Sequence, residues 1–306
     1  MRRMRISTPT IADNEHAGSV GKFQLHTHEN RSSGYPWRIG GSAMQDAIAR
    51  VVTMDGTLQE RYEAVKQRIA AAAIRSGRKP EHIMLVVVTK AATIDQIREL
   101  IALGHQDFGE GRVQQLIQRV AQIDEHLVRL RELRGSTPEV RWHMVGSIQR
   151  NKVRKTVELA RLIQSVDSLR LAEEIHVQAA RREQPIDILL EVNVSGEISK
   201  HGITGAAVRH VVQQLDTMVN IRVRGLMCMA PLVGGAVAAR QTFDRGYELF
   251  TDVRQSGQGG KTFDLLSMGM SGDFEEAIAA GANIVRVGSA IIGPGEPEVA
   301  GESPTA

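Results

Sequence analysis

Residues 83–104 read IMLVVVTKAATIDQIRELIALG. The segment opens on a short apolar run, Ile83 to Val88, that ends in Thr89-Lys90. Such a run suits a strand covered on both faces, as in a parallel sheet. It is followed by an amphipathic stretch that starts after Thr93 and closes at Gly104. That is helical spacing with a start and a stop signal, so the segment reads as one βα unit. Outward from it the alternation continues. Further strands are read in HQDFGE (105–110), EVRWHMVG (139–146), RLIQSVD (161–167), DILLEVNV (187–194), IRVRGLMCM (221–229) and TFDLLSMGM (262–270), and NIVRVGSAIIG (283–293) is the last strand with its turn. Helical patterns separate them, and one more helix, TLQERYEAVKQRIAAAAIRSGR (57–78), comes before the first strand.

Eight strand–helix alternations in this length predict an α/β fold, a single closed (β/α)8 TIM barrel over 57–293. An open doubly wound sheet is the alternative, but no GxGxxG turn follows the first strand. Residues 1–56, with HTHENRSSGYPWRIGGS, carry no clear period and read as a poorly ordered N-terminal extension. In that extension His26 and His28 are read as part of a solvated tail rather than as metal ligands. Residues 294–306 read as a C-terminal tail.

Composition narrows the class. Hydrophobic residues make up 42% and aromatic ones 4%, so the core is expected to be aliphatic. The net charge of +3 comes with no basic stripe, and nucleic-acid binding is not expected. The lone Cys228 allows no internal disulfide and fits a reducing compartment. No apolar run reaches the ~18 residues of a membrane span. The basic start MRRMRISTPT lacks the apolar segment of a signal peptide, so a cytoplasmic protein is expected. No spacing suggests a metal centre.

In such a barrel, chemistry sits at the C-terminal ends of the strands. Lys90 ends the first strand there. One reading is a partly desolvated amine, nucleophilic toward an aldehyde; the other is a lysine that snorkels to solvent. Position alone leaves the two level. After the seventh strand, SMGMSGDFEEAI places Met270 and Ser271 just before a helix, and after the eighth come Gly288 and Ser289. Loops at these two places form the usual phosphate cradle of this fold, the alternative being two tight turns that need glycine. A phosphate cradle with a strand-end lysine suggests a phosphorylated aldehyde, which pyridoxal 5′-phosphate (PLP) is. Arg286 lies inside an apolar strand and needs a partner. That partner is either a salt bridge within the barrel or the pyridine nitrogen of PLP. His143 and Asn193 fall on the same rim, where satisfied core polar groups are the commoner case. Cys228 reads as a small buried hydrophobe.

LVVVTKAATIDQIRELIALGHQDFGEG, RWHMVGSIQRNKVRK, SVDSLRLAEEI, EVNVSGEISKHGI, VRGLMCMAP and LLSMGMSGDFEEAIAAGANIVRVGSAIIG together resemble the PLP homeostasis proteins. These are similar to the barrel half of alanine racemase, a fold-type III PLP barrel. The resemblance implies that Lys90 carries PLP as a Schiff base. It implies phosphate contacts from Met270-Ser271 and Gly288-Ser289, and a pyridine contact from Arg286. His143 and Asn193 would line the cofactor, and Lys200 would sit on a flap after the fifth strand. The family usually reads GEN where this chain has Gly109-Glu110-Gly111. The implied function is intracellular PLP (vitamin B6) homeostasis without turnover, with apo PLP enzymes as recipients. The alternative is an amino-acid racemase-like enzyme. Alanine racemases need an opposed tyrosine from a second domain, and Tyr35, Tyr62 and Tyr247 fall on no expected rim position. Lack of that dimerising domain makes a monomer the expectation.

Overall fold

The computed structural model describes residues 56–293, apart from 183, 195–200 and 232. The expected extension and tail, with His26, His28 and Tyr35, and the flap Lys200 lie outside the described residues. Helix α1 (Leu58–Arg75) begins on a capping box in which Thr57 and Glu60 exchange side-chain and backbone hydrogen bonds. Then come β1 (Met84–Val88), α2 (Ile94–Ala102), β2 (Asp107–Glu110), α3 (Val113–Arg134), β3 (Arg141–Met144), α4 (Val153–Leu159) and β4 (Leu162–Val166). The second half has α5 (Leu169–Ala179), β5 (Ile186–Asn193), a two-residue β6 (Ile203–Thr204), α6 (Val208–Leu215) and β7 (Ile221–Met227). It ends with α7 (Gly235–Gln255), β8 (Leu265–Ser267), α8 (Phe274–Ala280), β9 (Ile284–Val287) and the helical turn α9 (Ser289–Ile292).

The strands pair in the order β4-β3-β2-β1-β9-β8-β7-β5, and β4 also pairs with β5. All these pairings are parallel, so the eight strands close on themselves into the expected barrel. The ninth strand, β6, pairs with β5 alone. It was not read from the sequence, because two residues carry no period. The turn expected after the last strand is a single helical turn, SAII, that starts at Gly288.

Strand alternation sorts the core into two layers. Val86, Leu162, Leu189, Met227 and Ile284, with Met84 and Leu265, fill the barrel interior. The much larger cluster lies between strands and helices. That outer layer is not purely aliphatic: Phe108, Phe243, Phe263 and Phe274 are among its largest fully buried side chains. At the N-terminal end the interior is closed by ion pairs. Asp187 takes Arg161, Arg222 and Arg224, and Asp107 takes Arg141. A bulge between β5 and β7 brings Gly225 to φ +150°, where a Cβ would lie 1.7 Å from the Leu265 carbonyl oxygen. Only glycine fits that approach. Among the described residues no helix is long and apolar enough to cross a membrane.

Candidate functional site

Lys90 stands at the C-terminal end of the barrel, in a turn just beyond β1. The Ala92 N–H donates to the Thr89 carbonyl at 2.8 Å, so Lys90 and Ala91 occupy the corner. Its side chain is exposed. Among the described residues, the partial desolvation expected at the end of an apolar strand is not provided: the strand stops at Val88, and Lys90 lies in the turn two residues beyond it.

Arg286 is the least ordinary group in the barrel. It projects inward from β9, opposite Val86, and is 4% exposed. Its Nη1 donates to Ser267 Oγ at 2.7 Å and its Nη2 to the Cys228 carbonyl at 3.2 Å. Both acceptors are neutral. The salt bridge offered as an alternative is absent: among the described residues no carboxylate lies within ion-pair distance of this guanidinium, although Glu191 and Asp273 act on it from farther off. Burial pulls its pKa below the ordinary guanidinium value.

From Arg286 a hydrogen-bonded chain runs across the interior. Ser267 Oγ donates to Gln164 Oε1 at 2.6 Å. Gln164 Nε2 meets His143 Nδ1 at 3.1 Å, and His143 Nε2 meets Asp107 Oδ1 at 3.0 Å. Arg141 then holds Asp107 with two hydrogen bonds, of 2.8 and 2.7 Å. A carboxylate can only accept, so the His143 hydrogen belongs on Nε2 and its Nδ1 accepts from Gln164. Burial would raise the Asp107 pKa, but hydrogen bonds from His143 and Arg141 outweigh it and hold the carboxyl at about 2. Both His143 ring nitrogens thus have protein partners, which leaves the ring face as what it can offer a ligand. Sequence reading missed Gln164 and Asp107. The available signal was a polar residue at an inward position of an apolar strand, LIQSV.

The two small-residue turns come together. Ser271 Oγ accepts the Gly288 N–H at 3.2 Å and the Ala290 N–H at 3.3 Å. Two backbone donors thus converge on one oxygen, as they would on an oxygen of an anion. The Met270 N–H is taken by Asp273 Oδ1 at 2.6 Å. A Cβ at Gly288 would sit 3.1 Å from the Val88 carbonyl oxygen, so this turn packs closely on the end of β1. Asn193 ends β5 and is half-buried, paired in register with Thr204 of β6. Two positions before it, Glu191 is buried; burial and the Asp167 charge raise its pKa. Sequence reading did not single out Glu191. Cys228 is buried and has its pKa pushed up to about 12 by burial, as suits a packing residue.

These observations put an amine, a buried guanidinium with neutral partners and a converging pair of backbone donors around the C-terminal end of one barrel. The family described as alanine racemase, N-terminal domain, matches residues 61–296. The pyridoxal phosphate homeostasis protein of Pseudomonas aeruginosa is 34% identical over 237 residues, 78% of this chain and 95% of that protein. The chain belongs to the family of pyridoxal phosphate homeostasis proteins. Among solved structures, an unknown protein from Bifidobacterium adolescentis superposes with TM-score 0.69 at 35% identity, covering 76% of this chain and 94% of that one. PipY of Synechococcus elongatus, with PLP bound, superposes with TM-score 0.62 at 32% identity, covering 75% of this chain and all of that one.

Proposed function

We propose that this chain binds PLP at the C-terminal end of its barrel, as a Schiff base on Lys90, and serves intracellular PLP homeostasis without a turnover reaction of its own. The observation that carries the reading is Arg286. A buried guanidinium bonded to a hydroxyl and a carbonyl, with no carboxylate among the described residues within ion-pair distance, suits a neutral aromatic nitrogen as a further acceptor. A guanidinium donates and does not give up its proton, so it would leave a pyridine nitrogen unprotonated. That makes the ring a poor electron sink, which favours holding the cofactor over using it. PLP would supply an aldehyde to the amine of Lys90 and a phosphate to the turns. The Ser271, Gly288 and Ser289 turns, with the Met270 backbone beside them, would receive the phosphate, and His143 and Asn193 would line the ring. The PLP-bound PipY relative supports the same ligand class.

The racemase-like reading is less well supported. Tyr62 donates toward His105 at 3.2 Å, beside the N-terminal start of β2, and Tyr247 is exposed on α7. Neither is placed to serve as a second base opposite Lys90. Recipients of the cofactor would be apo PLP enzymes, and we expect a monomer in the cytoplasm.

Purified protein mixed with PLP should develop a visible Schiff-base band that Lys90→Ala abolishes, and borohydride should fix PLP to Lys90. Amino acids incubated with the loaded protein in heavy water should keep their α-hydrogen. Deuterium entering alanine at enzymatic rates would rule out the carrier reading, and a wild-type protein that never takes up PLP would rule out both.

A further inference from the structure

The Lys90 turn is not left to its own conformational preferences. Arg119, on α3, reaches across to it and donates through Nη1 to the Thr89 carbonyl and through Nη2 to the Ala92 carbonyl at 3.0 Å. These two carbonyls stand on either side of Lys90-Ala91. The Arg119 Nε in turn meets Glu110 Oε1 at 3.1 Å. That same oxygen accepts the Thr89 hydroxyl, and the Thr89 N–H continues the ladder to the Gly109 carbonyl at 2.9 Å. Glu110 is fully buried and the Arg119 side chain is 13% exposed, so the pair is shielded from competing water. Burial raises the Glu110 pKa and lowers that of Arg119, and in each case the charge of the other opposes the shift.

We infer that Arg119 and Glu110 are positioning residues for Lys90: a guanidinium clamp on the backbone to either side of the lysine, locked by a buried carboxylate at the end of β2. The inference rests on the reading of Lys90 as the PLP attachment point and adds what makes that lysine effective. An exposed lysine on a two-residue corner would otherwise sample many positions. When the amine adds to an aldehyde, a C–N bond forms and water leaves; the protein's share is to hold the amine in place. Fixing the turn raises the effective concentration of the amine at the ring. The planar fork of arginine can bridge two carbonyls at once, which an ammonium on a flexible stem cannot do in the same geometry. Glu110 sits one residue before Gly111, so the same carboxylate also ties the end of β2 to the lysine turn.

The test uses Arg119→Lys, which keeps the charge, Arg119→Ala, and Glu110→Gln, each in the full chain. The readouts are hydrogen exchange of the 89–93 amides, the rate of growth of the visible band on adding PLP, and its dissociation constant. Melting temperature serves as the control. The expected result is faster exchange confined to the Lys90 turn and at least about tenfold weaker PLP capture in Arg119→Lys. Glu110→Gln should fall between that variant and wild type. A folded Arg119→Lys with wild-type exchange and wild-type PLP capture overturns the inference. So does a melting temperature that falls while PLP capture by the folded protein is unchanged, since that is what a purely structural pair would give. If Arg119→Ala does not fold, Arg119→Lys decides. If wild-type protein captures no PLP, the functional reading falls, and exchange at the turn alone decides whether the clamp exists.

Discussion

Removing one oxygen, in Ser267→Ala, tests the chain that holds Arg286. Ser267 is fully buried, and its hydroxyl both accepts from Arg286 Nη1 at 2.7 Å and donates to Gln164 Oε1 at 2.6 Å. Alanine leaves both partners in place and takes the bond from Arg286 Nη1 and from Gln164 Oε1. Losing a hydrogen bond to a charged group costs about 1.5–3 kcal/mol, and stranding a buried neutral acceptor costs about 1–3 kcal/mol. The volume change is a single oxygen, so a cavity adds little. Arg286 keeps its bond to the Cys228 carbonyl, and Gln164 keeps His143, which places the sum toward the lower end, about 3 kcal/mol. Urea denaturation of PLP-free protein, wild type against Ser267→Ala, measures it without the cofactor. An Arg286 held only by its bond to the Cys228 carbonyl should also shift the PLP dissociation constant and the wavelength of the Schiff-base band. The double variant Ser267→Ala/Gln164→Leu should cost less than the two single changes together, because they break a shared bond. Stability within about 0.5 kcal/mol of wild type for Ser267→Ala would refute the reasoning, since surface-like substitutions fall in that range.

Three other outcomes follow from separate features. His105 is buried, with Tyr62 at 3.2 Å and the Asp107 carbonyl at 2.8 Å, and burial lowers its pKa from 6.5 to about 4. The unfolded chain then binds a proton that the folded one refuses, so this contribution is complete above pH 6.5 and is lost as pH falls toward 4. The loss is about 3 kcal/mol, read as the difference between the denaturation profiles of wild type and His105→Gln over that window; parallel profiles would refute it. Cys228 should ignore a water-soluble thiol reagent in native protein and react once per chain on unfolding, and rapid native labelling would contradict its burial. At Gly111 an added Cβ meets nothing within 4 Å, so Gly111→Asn should leave stability within about 0.5 kcal/mol of wild type and tighten PLP binding. Unchanged affinity would mean that the missing amide does not bear on the cofactor.

The architecture was legible in the linear order of residues, because period and punctuation are local properties. The run 83–88, the Thr93 start and the Gly104 stop each act over a few residues, and eight repetitions leave a closed parallel sheet as the economical solution. The meeting of the turns at Ser271 and Gly288 was likewise legible, since adjacent βα loops of one barrel must lie side by side. What the sequence could not specify was how polar groups on non-adjacent strands satisfy one another. Gln164 and Ser267 lie 103 positions apart, and only barrel closure brings them to 2.6 Å. His143 was read as a rim residue because strand-end position is visible in sequence, whereas its two partners, one on β2 and one on β4, are not. Lys90 stands between these cases. Its place at the end of β1 followed from the sequence, but its exposure and the Arg119 fork behind it depend on α3 packing over the β1–α2 turn. Local pattern determined which elements form; the desolvation of buried charge, which depends on every neighbour at once, decided which side chains pair inside them.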